Sequence, residues 1–162
     1  MKVDEPLRVL MVCWGNICRS PTAEGILRHL AKEKGVAIHV DSAGTSHEHR
    51  GSPPDRRAIA EAAKRGIDIS GQRSRQIQQS DFDEFDLILT ADEMVDQRVR
   101  RQAPVGSRAR IERMTYPLPD FDRYPEVPDP YYGNAGDYRE VYALLERSMS
   151  ALLESLGPHS SI

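Results

Sequence analysis

The feature that most constrains the fold is a junction near the N-terminus at which a strand must pass into a helix. Residues 7–12 form a short apolar run after a polar start, which predicts a buried strand. Ser20 and Pro21 then open a predicted helix that ends near Gly35, because proline at the first helical position leaves no N–H group unsatisfied. The loop between these two elements reads Cys13-Trp14-Gly15-Asn16-Ile17-Cys18-Arg19.

The rest of the chain continues the alternation of strands and helices. Further strands are predicted at 39–42, 85–90 and 110–114, and further helices at 53–65, 91–102 and 137–156. A proline-rich segment, 115–136, is predicted to be a long ordered loop. Alternating elements predict a parallel sheet covered by helices on both faces, with ligands binding at the carboxyl ends of the strands. The loop after the first strand is expected to lie at that edge.

Length and charge limit the classes of protein that fit. The 162 residues are predicted to form one domain over 1–162, with a core at about 7–156 and disorder over 157–162. A net charge of −3 gives no reason to expect nucleic acid or a membrane as partner, and a monomer is the default. Two cysteines make no disulfide scaffold, the charged N-terminus is no signal peptide, and no apolar run approaches the roughly 20 residues of a membrane span. We therefore expect a cytoplasmic protein with free thiols.

The composition of the loop predicts an anion-binding site. Gly15 and Asn16 tolerate left-handed or otherwise tight backbone, so successive N–H groups can turn inward as an anion-binding nest. The following helix adds its positive end, and Arg19 adds a planar guanidinium that matches two phosphate oxygens. Together these elements predict a receptor for a tetrahedral dianion.

The same positive field acts on Cys13. A free thiol has a pKa of about 8.5, and helix N-termini with nearby cations lower such a pKa to roughly 3.5–7.5. We therefore expect Cys13 to be a thiolate at neutral pH and a nucleophile toward phosphorus. A cysteine at a strand end is more often a small buried hydrophobe, but the Gly-Asn pair and the Ser-Pro helix start favour the nucleophile here.

At this point the sequence resembles the low-molecular-weight protein tyrosine phosphatases. The segment from Val12 to Pro21 is similar to that family's signature, with one unusual residue, Trp14. Further matches follow in the expected order and extend the resemblance over about residues 7–156. They are Asp41-Ser42-Ala43-Gly44-Thr45, Pro53-Pro54-Asp55, Arg75-Gln76-Ile77 and Asp129-Pro130-Tyr131-Tyr132-Gly133.

The resemblance implies a three-layer α/β fold with a four-stranded parallel sheet flanked by helices. It also implies hydrolysis of phosphotyrosine in protein substrates through a covalent phosphocysteine, without metal or cofactor, and inhibition by inorganic phosphate or other oxyanions. Cys13 would be the nucleophile, Arg19 would hold the phosphoryl group, and Asp129 would be the general acid that protonates the departing phenolate. Asp120 and Asp122, in the same long loop, are weaker candidates for the acid.

The other expected site residues come from the same matches. The phosphate-binding loop would comprise Trp14, Gly15, Asn16, Ile17, Cys18 and Ser20. Ser42 and Gln72 would join Asn16 and Ser20 in a supporting polar network, and Glu48, Tyr131 and Tyr132 would form the pocket wall.

Several positions depart from the family's usual pattern. Trp14 would either wall the pocket and stack on a phenyl ring or pack against neighbouring loops. Glu48 stands where many relatives carry an aromatic residue of the pocket wall, a loss that either Trp14 compensates or that weakens binding of aryl phosphates. Gln72 stands where many carry a histidine, and because glutamine cannot carry charge we expect milder pH sensitivity of the loop. Ile17 favours tyrosine as substrate, because related protein-arginine phosphatases tend to carry threonine there.

Three other interpretations fit parts of the sequence. A non-catalytic phosphotyrosine-binding module would keep the nest but has no need of Cys13 and Asp129. An arsenate reductase-like enzyme would relay oxidation through further cysteines, and none follows Cys18. A reversible Cys13–Cys18 disulfide is expected as a regulatory addition that protects Cys13 from over-oxidation. The cluster at 47–49 (His-Glu-His) is interpreted as a surface loop, because no second pair of ligands has metal-site spacing.

Overall fold

Strands and helices alternate along residues 5–156, the part of the chain that the computed structural model describes. The elements are β1 Leu7–Cys13, α1 Arg19–Lys34, β2 Ile38–Gly44, α2 Arg56–Lys64, α3 Asp81–Glu84, β3 Leu87–Thr90, α4 Glu93–Gln102, β4 Arg110–Arg113 and α5 Ala135–Leu156. Every predicted strand and helix is present, with ends that differ by at most three residues, whereas the short helix α3 was not predicted. The tail at 157–162, predicted to be disordered, lies outside the described residues.

The four strands form one parallel sheet in the order β2-β1-β3-β4, which confirms the predicted fold class. β1 is central, and its last residue, Cys13, is level with Gly44 at the end of β2. Thr90, at the end of β3, pairs with Val12 on the other side. The loops that leave β1, β2 and β3 therefore emerge together at the carboxyl edge of the sheet.

Side chains of β1 alternate between the two faces of the sheet, as the pleat requires. Val9, Met11 and Cys13 belong to the core formed with α1, α2 and α5. Leu10 and Val12 belong to the opposite core, with α3 and α4. The two layers bury residues 9–13 of β1, which explains why this part of its sequence reads as a continuous apolar run. Among residues 5–156, no helix has the length and apolar character needed to cross a membrane.

The start of α1 differs from the prediction. The helix begins at Arg19, one residue before the predicted serine cap, and the Cys18 side chain at the cap position makes no capping hydrogen bond to the backbone of the helix. The Ser20 hydroxyl lies within the helix and contacts Cys13 and Asn16 instead, so it is unavailable for capping. Pro21 is still in the first turn, where N–H groups have no intrahelical acceptor. The helix ends as predicted, with Gly35 in the left-handed conformation at φ 68°.

Substitution of Gly25 tests how tightly α1 is packed against the segment before 70. A Cβ atom at position 25 would lie 2.5 Å from Cγ2 of Ile69 and 3.3 Å from Cγ2 of Ile67. Alanine favours the helix by about 1 kcal/mol, whereas overpacking a core costs about 1–3 kcal/mol. We expect Gly25→Ala to lower the free energy of unfolding in urea by about 1 kcal/mol. An unchanged or increased value would show that Ile69 moves aside freely.

Candidate active site

The loop between β1 and α1 is tied to its surroundings through its carbonyl groups. The carbonyl oxygens of Cys13, Trp14 and Ile17 accept hydrogen bonds from the backbone N–H groups of Thr45, Ser46 and Asp55, at 3.0, 2.9 and 2.8 Å. The Gly15 carbonyl accepts from Ser74 Oγ at 2.9 Å. Within residues 5–156, the N–H groups of 15–18 donate to no protein acceptor. The loop therefore presents unpaired donors, as an anion-binding nest requires.

Asn16 fixes the conformation of this loop. It is the one non-glycine residue with positive φ, at 57°, among residues 5–156. Its Nδ2 donates to Ser20 Oγ at 2.7 Å and to Ser42 Oγ at 2.9 Å, and its Oδ1 accepts from the Arg75 N–H at 3.0 Å. Gly15, the other residue predicted to tolerate left-handed or tight backbone, does not have a positive φ. It is needed for space, because a Cβ there would lie 2.9 Å from the His49 ring.

A chain of side-chain hydrogen bonds leads from Cys13 into the protein. Cys13 Sγ lies 3.0 Å from Ser20 Oγ, and Ser20 is joined through Asn16 to Ser42. Ser42 Oγ donates to Glu24 Oε1 at 2.6 Å. Burial raises the pKa of Glu24, although the hydrogen bonds from Ser42 and Arg28 act in the opposite direction.

Glu24 was missed by the sequence analysis, and Gln72 was given more weight than its contacts support. The signal for Glu24 was a carboxylate one helical turn after Ser20, on the buried face of α1. Gln72 donates to the Pro21 carbonyl at 3.0 Å, and its Oε1 lies 3.5 Å from Ser42 Oγ. Because the Ser42 hydroxyl has one proton and a much shorter contact with Glu24, Gln72 lies at the edge of the network.

Arg19 is buried beside Cys13 with both ends of its guanidinium engaged. Its Nη1 donates to Asp92 Oδ2 at 2.7 Å and to the Val127 carbonyl at 2.9 Å, and its Nη2 lies 3.7 Å from Asp129 Oδ2. Burial alone would lower the pKa of Arg19, but the negative charge of Cys13 and the bond to Asp92 raise it above its ordinary value. Asp92 was not predicted, although it follows β3 at the carboxyl edge and caps α4 by accepting from the Val95 N–H.

Ten of the predicted site residues meet in one pocket of about 350 Å³, whereas Asn16, Ser20, Ser42 and Gln72 do not line it. Its lining is formed by Cys13, Trp14, Gly15, Ile17, Cys18, Arg19, Glu48, His49, Asp129, Tyr131 and Tyr132. Asp120 is instead paired with Arg147 of α5 at 2.9 Å. Of the candidate acids in the long loop, Asp129 is therefore the one that faces Cys13.

Aromatic rings form one side of the pocket mouth. The His49 ring lies 6.1 Å from the Trp14 ring, edge to face, and 6.4 Å from the Tyr131 ring. Tyr132 packs edge-on against Tyr131 at 4.9 Å. Trp14 thus walls the pocket, and His49 supplies the ring that Glu48 does not. Within 5–156, no group of three or more His, Cys, Asp or Glu side chains could hold a metal ion.

Arg57 joins the segment that carries Asp129 to the start of α2. Its guanidinium donates to the Tyr131 carbonyl at 2.9 Å and to the Gly133 carbonyl at 3.2 Å. It also forms a paired contact with Asp55, at 3.0 and 2.9 Å, which lowers the pKa of that carboxyl group. Nothing local in the sequence indicated the contacts of Arg57 with the Tyr131 and Gly133 carbonyls, because these residues lie more than 70 positions from Arg57 along the chain.

The second thiol, Cys18, is in a different environment from Cys13. Its Sγ lies 3.3 Å from the Tyr138 hydroxyl, and burial raises the pKa of Cys18 to about 12. A thiol whose pKa lies so far above 8 is almost wholly protonated at pH 8. Cys18 is therefore a poor nucleophile in the folded protein.

Alkylation with iodoacetamide at pH 8, followed by peptide mass spectrometry, tests this difference. We expect Cys18 to stay unmodified in the native protein on a timescale that fully alkylates free cysteine. In urea, both thiols should be modified, which controls for detection of the Cys18 peptide. Modification of native Cys18 at the rate of a free thiol would contradict the assignment.

The chain is similar over nearly its whole length to known phosphatases. The sequence profile of the low molecular weight phosphotyrosine protein phosphatase family matches residues 8–161. YfkJ of Bacillus subtilis, a low molecular weight protein-tyrosine-phosphatase, is 38% identical over 152 residues, which cover 93% of this chain and 96% of YfkJ. The crystal structure of YfkJ has a TM-score of 0.86 with this fold and covers 94% of this chain and 95% of its own.

Two other solved structures share the fold at 27% identity. Wzb of Vibrio vulnificus, in complex with benzylphosphonate, has a TM-score of 0.82 and covers 94% of this chain and 100% of its own. The arginine phosphatase of Drosophila has a TM-score of 0.89, and the match covers 93% of this chain and 98% of the Drosophila chain. Sequence profile, relatives and architecture agree with one another. The chain belongs to the low molecular weight phosphotyrosine protein phosphatase family and is a hydrolase with protein-tyrosine-phosphatase activity.

Proposed function

We propose that this phosphatase hydrolyses phosphotyrosine in two steps, with Cys13 as nucleophile, Arg19 as phosphoryl ligand and Asp129 as general acid and base. The observation that carries the proposal is that these three residues line one pocket above a loop whose N–H groups are unpaired within the described chain. A nucleophile, a positive receptor and a proton donor around one cavity are what phosphoryl transfer from an aryl ester needs.

In the first step the Cys13 thiolate attacks phosphorus and the bond between phosphorus and the tyrosine oxygen breaks. Asp129, as a carboxylic acid, donates its proton to the departing phenolate. The products are tyrosine and a phosphocysteine on Cys13. Asp129 is half exposed at the pocket mouth, with 49% of its side chain accessible, so a proton can reach it from solvent.

In the second step a water molecule attacks the phosphocysteine on the side that the phenol has left. The Asp129 carboxylate accepts a proton from this water, the sulfur–phosphorus bond breaks, and inorganic phosphate leaves with the thiolate restored. Ser20, whose hydroxyl lies 3.0 Å from Cys13 Sγ, can donate a hydrogen bond to the sulfur as negative charge returns to it.

Charge stabilisation is the main contribution that we assign to the loop and Arg19. The transition state of phosphoryl transfer is loose, with charge spread over the equatorial oxygens, so preorganised donors matter more than covalent assistance. Asp92 holds the guanidinium from one side, with 2.7 Å between its Oδ2 and Nη1, and the Val127 carbonyl accepts from the same nitrogen, so these two bonds leave the Nη2 and Nε donors unused. Asp92 is therefore proposed as a positioning residue for Arg19.

Phosphotyrosine in proteins is the proposed substrate, and inorganic phosphate or other oxyanions are the proposed inhibitors. The rings of Trp14, His49 and Tyr131 supply an aromatic wall for a phenyl group above the loop. The benzylphosphonate bound to Wzb, an aryl-bearing oxyanion, has the same combination of groups. Ile17 in the pocket lining is consistent with the preference for tyrosine over arginine.

Several expectations accompany this function. We propose that residues 1–162 form one phosphatase domain that acts as a cytoplasmic monomer without nucleic-acid or membrane partners. A reversible Cys13–Cys18 disulfide stays a prediction. The alternatives of a non-catalytic module and an arsenate reductase-like enzyme find no support among the relatives named above, which are phosphatases.

Hydrolysis of an aryl phosphate in the presence of a chelator tests the mechanism. We expect Cys13→Ser to abolish turnover and Asp129→Asn to lower kcat by about 10²–10⁴-fold, the usual contribution of a general acid. The Asp129→Asn defect in kcat/KM, which reports the first step, should be larger with phenyl phosphate than with nitrophenyl phosphate, because nitrophenolate leaves more readily without a proton. Asp120→Asn, the same change in the same long loop, is the matched control and should keep native kcat, since Asp120 is paired with Arg147.

Two outcomes would contradict the mechanism. Equal losses in Asp120→Asn and Asp129→Asn would remove the case for Asp129 as the acid. An inactive native protein that binds phosphotyrosine peptides would favour the non-catalytic binding module.

A second test concerns Arg57, which we expect to position Asp129 by holding the 131–133 backbone. Small displacements of a catalytic group can cost up to about a hundredfold in rate. Arg57→Gln should therefore lower kcat/KM with phenyl phosphate by about tenfold and with nitrophenyl phosphate by clearly less. We choose kcat/KM because it reports the first step, in which Asp129 protonates the leaving group. Arg56→Gln, an exposed neighbour on α2, is the control. Equal losses of kcat/KM on both substrates would contradict a role that acts through protonation of the leaving group by Asp129.

A further inference from the structure

A second groove leads away from the proposed phosphate pocket. It has a volume of about 610 Å³ and shares Trp14, Arg19 and Asp129 with the pocket. Its other lining residues come from the start of α4 and from the long loop: Asp92, Glu93, Met94, Val95, Gln97 and Glu126. A side chain next to the phosphotyrosine on a bound substrate is thus within reach of this groove, because the two cavities meet at the same three residues.

Two large apolar side chains that line the groove are exposed to solvent. Trp14 is 36% exposed and Met94 is 64% exposed, and both line the groove. Trp14 separates the two cavities, since it also lines the phosphate pocket, where His49 packs against its ring. Large exposed apolar side chains beside an active site are typical of binding surfaces.

The lining of the groove carries more negative than positive groups. Four of its nine lining residues are carboxylates, and two of these, Asp92 and Asp129, lie against Arg19, the single cation of the lining. Glu93 is partly neutralised by Arg113, which also lies near Asp96. Glu126 accepts a hydrogen bond from the Glu93 N–H at 2.7 Å, and no cationic side chain of residues 5–156 pairs with it.

The phosphate pocket itself has fewer carboxylates in its lining, namely Glu48 and the shared Asp129, and the nearby Arg57 is paired with Asp55. There Arg57 lies over the Tyr131 ring at 5.7 Å, and His49 stands between the aromatic rings. The two sides of a bound peptide would therefore meet different electrostatic surroundings, and the negative side is the one that holds Trp14 and Met94.

We propose that this groove binds a lysine or arginine adjacent to the phosphotyrosine of the substrate. The aliphatic part of such a side chain would pack on Trp14 and Met94, and the cationic end would face Glu126 and Glu93. An indole ring is also the best aromatic partner for a cation. Lysine and arginine are the side chains that combine a long apolar stem with a positive end. The exposed apolar side chains and the carboxylates of the groove therefore favour the same kind of ligand. The inference rests on the proposed function, since it requires phosphotyrosine in the neighbouring pocket.

Matched phosphotyrosine peptides test the proposal. One peptide carries alanine on both sides of phosphotyrosine, and others carry lysine or glutamate immediately before or immediately after it. We expect one lysine peptide to have a kcat/KM about fivefold above that of the alanine peptide, the scale of one or two exposed ion pairs, mostly through KM. The glutamate peptide at the same position should be worse than alanine, and high salt should reduce both differences.

Two variants connect the preference to the groove. Glu126→Gln should bring the lysine-to-alanine ratio of kcat/KM close to one, and Met94→Ser, which changes an exposed side chain, should lower it about twofold. Glu154→Gln, an exposed carboxylate near the end of α5, removes the same charge elsewhere and should keep the native ratio.

The outcomes separate this inference from the function on which it rests. Hydrolysis of all peptides with equal kcat/KM at low salt would overturn the groove while leaving the phosphatase mechanism intact. A lysine preference that persists unchanged in both Glu126→Gln and Met94→Ser would also overturn it. Folded native protein that hydrolyses none of the peptides would overturn the proposed function, and the inference with it.

Discussion

The Asn16 amide holds the loop on which the rest of the site depends. Asn16 adopts the left-handed backbone conformation, with φ at 57°, which costs an L-amino acid about 1–2 kcal/mol. Three hydrogen bonds of its buried side chain, to Ser20, Ser42 and the Arg75 N–H, each contribute about 1 kcal/mol and offset that cost. With Asn16 fixed, the loop carbonyls reach neighbouring segments and the N–H groups are left unpaired.

The same loop requires close approach by the end of β2. Gly44 pairs with Cys13 at the sheet edge, and a Cβ on Gly44 would lie 2.7 Å from the Trp14 carbonyl oxygen. A side chain there would push the loop away from the sheet and disturb its bond to Ser46. The positive surroundings of Cys13 thus depend on backbone geometry at two strand ends, together with the buried guanidinium of Arg19. Asp92 and Asp129 share that one guanidinium from different loops.

Substitutions relative to the usual family pattern are balanced by neighbours in the structure. Gln72 contributes little to the polar network, but Glu24 forms its inner end by accepting a hydrogen bond from the Ser42 hydroxyl at 2.6 Å. Glu48 brings no aromatic ring to the pocket, but His49 lies between Trp14 and Tyr131. The aromatic wall and the network are both present although the residues that supply them are partly different.

The sequence by itself determined the elements whose signals are local. The apolar run before Cys13, the loop to Arg19 and the alternation of strands and helices were sufficient to predict the parallel sheet and the anion-binding loop. Asp129 was identified by its motif, since its position in the chain gives no physical reason to meet Cys13. Three-dimensional packing decided the remainder. Glu24 accepts a hydrogen bond from Ser42, and Ser20 contacts the Cys13 sulfur instead of capping its helix. Asp92 binds the Arg19 guanidinium and Arg57 binds the Tyr131 carbonyl, each across more than 70 residues of sequence. These contacts depend on how distant segments meet at the sheet edge, and no short window of sequence contains that information.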